Sequence, residues 1–310
     1  MLAIKRYFAC ILMVLLLILS MPVSGESGQD TYESDIVIYG GTSAGVAAAI
    51  QASRMGKSVI LIEPASRIGG LTTGGLGQTD IGNKNVIGGI SREFYQRIKG
   101  YYKDPAHWNW EKKSEYQDGG QTKTLEGEDA MWTFEPSVAL EVYLNMIEEE
   151  DIHLIYNQRL NRQDGVKKRG PEIVEIEMES GQKFRGEMFI DATYEGDLLA
   201  SAGVSSTIGR ESNDQYGETL NGVQANEFGM TLKGTVSLNG YHHNFISGVD
   251  PYVQKGDPSS GLLPFINENG PGINGSGDKK IQAYCFRMTL TDHPENRIPF
   301  QKPENYNELD

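Results

Sequence analysis

The chain has 310 residues, of which 38% are hydrophobic and 9% aromatic, and its 28 basic and 42 acidic side chains give a formal charge of −14. This composition excludes wholesale disorder, and the acidic balance argues against nucleic acid or an anionic membrane surface as the main partner. Two cysteines exclude a disulfide scaffold, a cysteine-based zinc site and an iron–sulfur cluster, and no metal site is predicted.

The first 25 residues predict a signal peptide. Lys5 and Arg6 form a basic start, residues 7–19 are apolar, and Pro22 is followed by small residues that favour cleavage near Gly25. The apolar run is shorter than the roughly 20 residues that span a membrane, although an uncleaved anchor is the alternative. We therefore expect export to the periplasm or the extracellular space, without a stable membrane span after cleavage.

A βαβ unit follows the signal peptide. Residues 36–39 are β-branched and aromatic and predict a buried parallel strand, and residues 46–55 predict an alanine-rich helix. A second buried strand at 58–62 ends at Glu63. This arrangement is the context that a dinucleotide-binding fingerprint requires.

The turn between the first strand and the helix has the sequence GGTSAG. Gly40 permits a tight turn, and the backbone N–H groups then face a phosphate at the positive end of the helix. Thr42 stands where the G-x-G-x-x-G template has its second glycine. Glu63 lies 18 residues past Gly45, where a carboxylate can accept hydrogen bonds from ribose hydroxyls. The predicted dinucleotide contacts of the turn are Gly40, Gly41, Thr42, Ser43, Ala44 and Gly45.

A glycine-dense loop begins directly after the second strand, and Arg67, Gly69 and Gly70 are its first candidate cofactor contacts. A flavoprotein uses such a loop to lay its backbone along the ring and the pyrophosphate, whereas a nicotinamide-binding domain gains nothing from it. A flexible surface loop is the alternative interpretation.

The rest of the chain alternates between helical and extended patterns. Helices are predicted at 90–101, 136–150 and 197–202, and strands at 152–156, 173–178, 188–190, 236–238 and 283–290. A turn at Ser180-Gly181 predicts a hairpin. Residues 102–128 have no clear period and predict an insertion, in which His107, Trp108 and Trp110 form either a sugar-stacking platform or ordinary packing.

Four segments carry a family resemblance: GGTSAG, IEPASRIGGLTTGGLGQTD, WTFEPSVA and IDATYEGDLLASAGV. Together they resemble the FAD-dependent oxidoreductases of the glutathione-reductase type, in particular a secreted bacterial branch labelled xanthan lyase-related. The resemblance covers about residues 34–310. It implies an α/β fold with a Rossmann-like FAD-binding domain of the three-layer ββα type, and a mixed α+β substrate domain inserted in it or appended to it.

The resemblance also implies the cofactor, FAD, and a domain division. The FAD-binding domain would comprise 34–100 and 131–210, with an insertion at 101–130 and an incomplete substrate-side domain at 211–310. Members of the family continue beyond the point where this sequence stops, so we expect a C-terminally truncated product. Asp191, Ala192 and Thr193 would end the strand that returns under the cofactor. Asp197 would be either a helix N-cap or a flavin contact.

Catalytic residues are less well indicated. His242 and His243 are candidates for proton transfer near neutral pH, and Arg287 for orienting an anionic substrate or stabilising reduced flavin. Cys285 is the single cysteine left after signal removal, and no C-x-x-C pair is present, which argues against disulfide reductase chemistry.

The sequence therefore predicts an exported FAD-dependent oxidoreductase that moves a hydride from a small substrate, with a carbohydrate favoured, to flavin, and then passes electrons to an unidentified acceptor. Three alternatives remain open. They are an NAD(P)-binding Rossmann dehydrogenase, an FAD-containing lyase or isomerase without net oxidation, and an inactive truncated fragment.

Overall fold

The computed structural model describes residues 30–224, 250–270, 272–281 and 287–306. The predicted signal peptide, the strand at 236–238, His242, His243 and Cys285 lie outside the described residues. So does half of the strand predicted at 283–290, and its described half, residues 287–290, has no strand.

The centre of the molecule is a six-stranded sheet with the order β3-β2-β1-β6-β5-β4. Its strands are β1 (Thr31–Tyr39), β2 (Val59–Ile62), β3 (His153–Ile155), β4 (Val166–Arg169), β5 (Glu172–Glu177) and β6 (Lys183–Asp191). The first three strands and β6 run parallel, whereas β5 and β4 are antiparallel additions at one edge. The predicted α/β, Rossmann-like fold class is confirmed by this topology.

Helices cover the sheet and its loops. They are α1 (Ser43–Arg54), α2 (Gly70–Gly74), α3 (Gly89–Tyr101), α4 (Pro136–Glu149), α5 (Asp197–Ser201) and α6 (Asn213–Tyr216). The chain leaves α1 at Gly56, two residues after the helix ends. Gly56 has a φ of +82°, which suits glycine, and its N–H donates to the Ser53 carbonyl at 2.7 Å. A separate antiparallel hairpin pairs β7 (Tyr252–Gln254) with β8 (Asp257–Leu262).

The core has two main parts, one on each face of the sheet, because alternate residues of a strand point to opposite faces. On one face, α1 packs against β1 and β2, and α3 and α4 pack against α1 and each other. The larger buried side chains there are Val46, Ile50, Leu61, Ile68, Phe94, Ile98, Val138, Val142, Met146 and Ile147. The opposite face is filled by Val37, Tyr39, Ile60, Ile62, Leu160, Ile176, Met178, Phe184 and Leu198. Parallel strands buried on both faces require such continuous apolar runs.

Several predicted elements are confirmed with shifted bounds, and others differ. Strand β6 begins at Lys183, well before the predicted 188–190, because it pairs along its length with β1. Strand β4 was not predicted, since its sequence VKKR is polar and exposed at an edge. The glycine-dense loop contains the short helix α2. Within the described ranges, no helix is both long and apolar enough to cross a membrane.

Candidate functional site

The predicted dinucleotide turn lies at the carboxyl ends of β1 and β6. Tyr39 and Asp191, the last residues of these strands, stand opposite each other in parallel register. From β1 the chain passes through α1 to β2, on one side of β1. It reaches β6, on the other side of β1, only after it has formed β3, β4 and β5. This reversal of strand order is a topological switch point, the place where open α/β sheets bind ligands.

The glycines of the turn allow very close approach of backbone to backbone. Gly40 has a φ of +104°, and a Cβ there would lie 2.7 Å from the Ala192 carbonyl carbon. A Cβ at Gly45 would overlap the Gly40 carbonyl oxygen. The first and third glycines of the fingerprint therefore close the turn and seat the helix against the strand.

Thr42 stands in the position of the fingerprint's second glycine and has a structural role there. Its hydroxyl accepts from the Gly45 N–H at 3.3 Å and donates to the Ala192 carbonyl at 2.7 Å. Thr42 is thus the N-cap of α1. Its side chain is directed towards the end of β6, so it ties the turn to that strand.

Ser43 and Ala44 form the first turn of α1. The Ser43 hydroxyl donates to the Gly69 carbonyl at 2.9 Å and lies 2.7 Å from the Thr72 hydroxyl, whereas Ala44 is exposed. The first N–H groups of a helix have no partner within the helix and attract anions. This end of α1 therefore suits a phosphate.

Glu63 is held in place by backbone donors on both sides. Its Oε2 accepts from the Gly41 N–H at 2.8 Å, its Oε1 accepts from the Ala65 N–H at 2.7 Å, and the residue is only 9% exposed. A carboxylate has about four acceptor positions. The fixed carboxylate therefore keeps acceptor capacity for a further donor, such as a hydroxyl.

The Gly69-Gly70 pair belongs to the start of α2, and Gly69 is that helix's N-cap. The Gly69 N–H donates to the Gly41 carbonyl at 2.6 Å, and a Cβ on Gly69, where φ is +90°, would lie 3.0 Å from the Tyr143 ring. Arg67 donates to the Thr73 carbonyl at 2.9 Å and to the Pro136 carbonyl at 3.3 Å. The structure thus uses Arg67 to anchor this loop to α4.

Two tyrosines that the sequence analysis missed line this region. The Tyr194 hydroxyl accepts from the Leu71 N–H at 2.9 Å, and a Cβ on Gly70 would overlap it. Burial raises the pKa of Tyr143, and its contacts with Ser43 and Thr72 oppose that shift. Both tyrosines come from distant parts of the chain. Tyr194 lies within the segment IDATYEGDLLASAGV, whereas no local motif marks Tyr143.

The end of β6 is organised by its own side chains. Asp191 Oδ1 accepts from the Thr193 N–H at 3.0 Å and from the Thr193 hydroxyl at 2.7 Å, and Oδ2 accepts from the Leu199 N–H at 2.8 Å. The N-cap of α5 is Gly196, so the N-cap role considered for Asp197 is wrong. Asp197 is the first helical residue, and its carboxylate lies 3.5 Å from Arg162.

Of the three predicted catalytic residues, Arg287 alone is described. Its side chain is exposed. Its carbonyl oxygen would lie 3.1 Å from a Cβ on Gly75, and the Thr289 hydroxyl donates to the Gly75 carbonyl at 3.5 Å. The structure therefore brings the backbone of this segment to Gly75, at the C-terminal end of α2.

The fold and the turn define a dinucleotide-binding α/β protein. Residues 35–310 match the model of the FAD dependent oxidoreductase family, and the chain belongs to that family. The predicted resemblance and the predicted cofactor, FAD, are thereby confirmed. No curated protein matches the chain.

Solved structures similar to this chain include two dehydrogenases and a deaminase. L-proline dehydrogenase from P. horikoshii is 18% identical, with 59% of each chain covered and a TM-score of 0.37. L-amino acid deaminase from Proteus vulgaris is 13% identical, with 61% of this chain and 54% of that chain covered and a TM-score of 0.40. A 3-ketosteroid dehydrogenase from Rhodococcus jostii RHA1 is 18% identical, with 53% and 46% covered and a TM-score of 0.32. The chain spans less than two thirds of the length of each.

Proposed function

We propose that this protein is an exported oxidoreductase that uses FAD to oxidise a small substrate, with a carbohydrate as the favoured class, and then passes the electrons to a separate acceptor. One observation carries the proposal. The glycine turn of residues 40–45 and the fixed carboxylate of Glu63 lie together at the switch point of the sheet.

The residues present fit FAD. The pyrophosphate would lie at the N-terminal end of α1, where free N–H groups and the helix dipole favour negative charge. A ribose would donate to Glu63, whose two backbone hydrogen bonds orient the carboxylate before any ligand arrives. The loop at Gly69 and Gly70 would approach the ring. One backbone hydrogen bond, from the Gly69 N–H to the Gly41 carbonyl, holds that loop against the turn.

Bound FAD supplies the redox chemistry, because its ring accepts a hydride from a substrate carbon. The chain's own part is to bind and orient. The segment beginning at Arg287 passes Gly75 at the C-terminal end of α2, which supports Arg287 as a residue that stabilises reduced flavin. His242 and His243 remain predicted proton-transfer groups, and both lie outside the described residues.

Two sequence features support the substrate class and the location. Residues 1–25 favour export, and an exported enzyme meets extracellular small molecules rather than cytosolic NAD(P)H. The formal charge of −14 disfavours polyanionic substrates.

The test is an anaerobic half-reaction with the purified full chain carrying FAD. Neutral monosaccharides are added singly, and loss of the oxidised-flavin absorbance is followed before and after an electron acceptor is added. We expect at least one sugar to reduce the flavin and the acceptor to restore the absorbance. Reduction by NADH or NADPH, with no reduction by any sugar, would contradict the proposal.

A further inference from the structure

A cavity of about 240 Å³ lies in the segment 102–135, at the N-terminal end of α4. We call it the aromatic pocket and define it by Tyr102, Trp108, Trp110, Glu111, Tyr116 and Glu135. We propose that the aromatic pocket binds one ring of a neutral sugar. The inference deepens the proposed function and rests on it for the class of substrate.

The aromatic rings of the pocket are held in fixed positions. The Trp108 indole N–H donates to the Tyr102 carbonyl at 3.0 Å, and its ring centre lies 5.3 Å from the rings of both Tyr102 and Tyr116. At the rim, Trp110 is 43% exposed and packs edge-on against His293 at 5.0 Å. Rigid aromatic surfaces of this kind stack against the apolar face of a ligand ring at low entropic cost.

Polar groups surround these rings. The Tyr102 hydroxyl donates to Glu135 Oε2 at 2.9 Å and accepts from the Glu135 N–H at 3.1 Å, so this carboxylate is positioned by the pocket itself. Glu111 supplies a second carboxylate. None of the pocket's described lining residues is a lysine or an arginine. This set of charges disfavours anions and suits a ligand that donates hydrogen bonds.

Two classes of donor ligand fit carboxylates among aromatic rings: organic cations, through cation–π contacts, and sugars. The proposed function supplies the choice between them, because it takes a neutral sugar as the substrate. A sugar hydroxyl can donate to Glu135 or Glu111 while the sugar ring stacks on Trp110, whereas a quaternary ammonium ion has no hydroxyl to donate.

Two hydrogen bonds to backbone carbonyls connect the segment of the aromatic pocket with the glycine-dense loop of the candidate FAD site. Arg67 of the glycine-dense loop donates to the carbonyl of Pro136, the residue after Glu135. The Phe134 N–H donates to the Gly77 carbonyl at 2.8 Å. These contacts support the assignment of the pocket to the same substrate that the flavin oxidises.

The binding test uses methyl glucoside, a neutral pyranose without a free aldehyde, and tetramethylammonium chloride as the cation probe. Quenching of tryptophan fluorescence and calorimetry follow binding to the full chain. We expect saturable binding of the glucoside by the wild type and by Tyr216→Ala, which removes a more exposed aromatic side chain far along the chain. Trp110→Ala should weaken binding about tenfold or more.

Tyr116→Phe is a control for packing. The Tyr116 hydroxyl lies beside the Thr133 hydroxyl and has no exposed surface that a ligand could contact. Binding of the glucoside by this variant should therefore match that of the wild type. Equal binding by the wild type and Trp110→Ala, saturation by tetramethylammonium alone, or no saturation by the glucoside would each overturn the proposal.

Flavin reduction by sugars, measured on the same samples, keeps the two proposals apart. If sugars reduce the flavin and Trp110→Ala changes neither reduction nor binding, the pocket assignment fails and the proposed function stands. If the glucoside binds and Trp110→Ala abolishes that binding, but no sugar reduces the flavin, the pocket assignment stands and the proposed function fails.

Discussion

The crevice between β1 and β6 and the aromatic pocket are built in different ways. The crevice is formed by backbone: glycines bring two chain segments together, N–H groups fix Glu63, and Thr42 ties the turn to β6. The aromatic pocket is formed by side chains from a segment without period, held by ring contacts. Changes of a single atom should therefore disturb the crevice far more than the pocket, which is open at its rim.

The largest effect is expected for Gly40→Ala. The new methyl group would lie 2.7 Å from the Ala192 carbonyl carbon, on a residue with a φ of +104°. Overpacking and the left-handed conformation together should cost about 2–5 kcal/mol of unfolding free energy. Gly74→Ala is the matched control, because a Cβ there meets no atom within 4 Å. Urea unfolding measures both, and equal stabilities would show that the turn is not closely packed.

Glu63→Gln comes next. The glutamine amide can accept from only one of the two N–H groups, those of Gly41 and Ala65, that now donate to the carboxylate. Its own N–H₂ group would face the other donor, so we expect a loss of about 1–3 kcal/mol. Glu172→Gln, at an exposed ion pair with Arg169, serves as the control and should change stability little. If both variants unfold alike, the carboxylate is not fixed as described.

Thr42→Val tests the tie between the turn and β6. Valine keeps the shape but loses the cap on the Gly45 N–H and the hydrogen bond to the Ala192 carbonyl. The expected cost is about 1–2 kcal/mol. Thr42→Ser keeps the hydroxyl and should recover most of the stability in the same urea series. No recovery by serine would assign the effect to packing alone.

The smallest effect concerns an ion-pair cluster that joins α1, α3 and α4, remote from both sites. Hydrogen bonds from Arg54, assisted by Arg97, lower the pKa of Glu93 from 4.5 to about 2. A carboxyl whose pKa falls on folding adds stability above its ordinary pKa, and that stability disappears as the pH falls from about 4.5 towards 2.

Glu93→Gln should therefore lower stability near neutral pH by about 1 kcal/mol or less, since the pair is partly exposed. The difference between the variant and the wild type should shrink as the pH falls through this range. Thermal melts at several pH values measure it, and a difference that does not vary with pH would contradict the assignment.

The contrast between the two regions also explains what the sequence could predict. The βαβ unit, the turn and Glu63 follow from local patterns, because strand, glycine turn and helix are consecutive. The roles of Tyr143 and Tyr194 depend on contacts across the fold, and so does the length of β6, which its pairing with β1 sets. Asp197 is not the cap of α5, because Asp191 and Thr193, at the end of the preceding strand, accept the hydrogen bonds of the N–H groups at the start of that helix.

The most direct test of the account is an FAD titration of the purified full chain, followed by quenching of flavin fluorescence, alongside Glu63→Gln and the control Glu172→Gln. We predict one FAD per wild-type chain and no tight binding of NAD⁺. Glu63→Gln should bind FAD about tenfold or more weakly, and Glu172→Gln should match the wild type. Wild-type affinity for FAD in Glu63→Gln, or tight binding of NAD⁺ in place of FAD, would contradict the account.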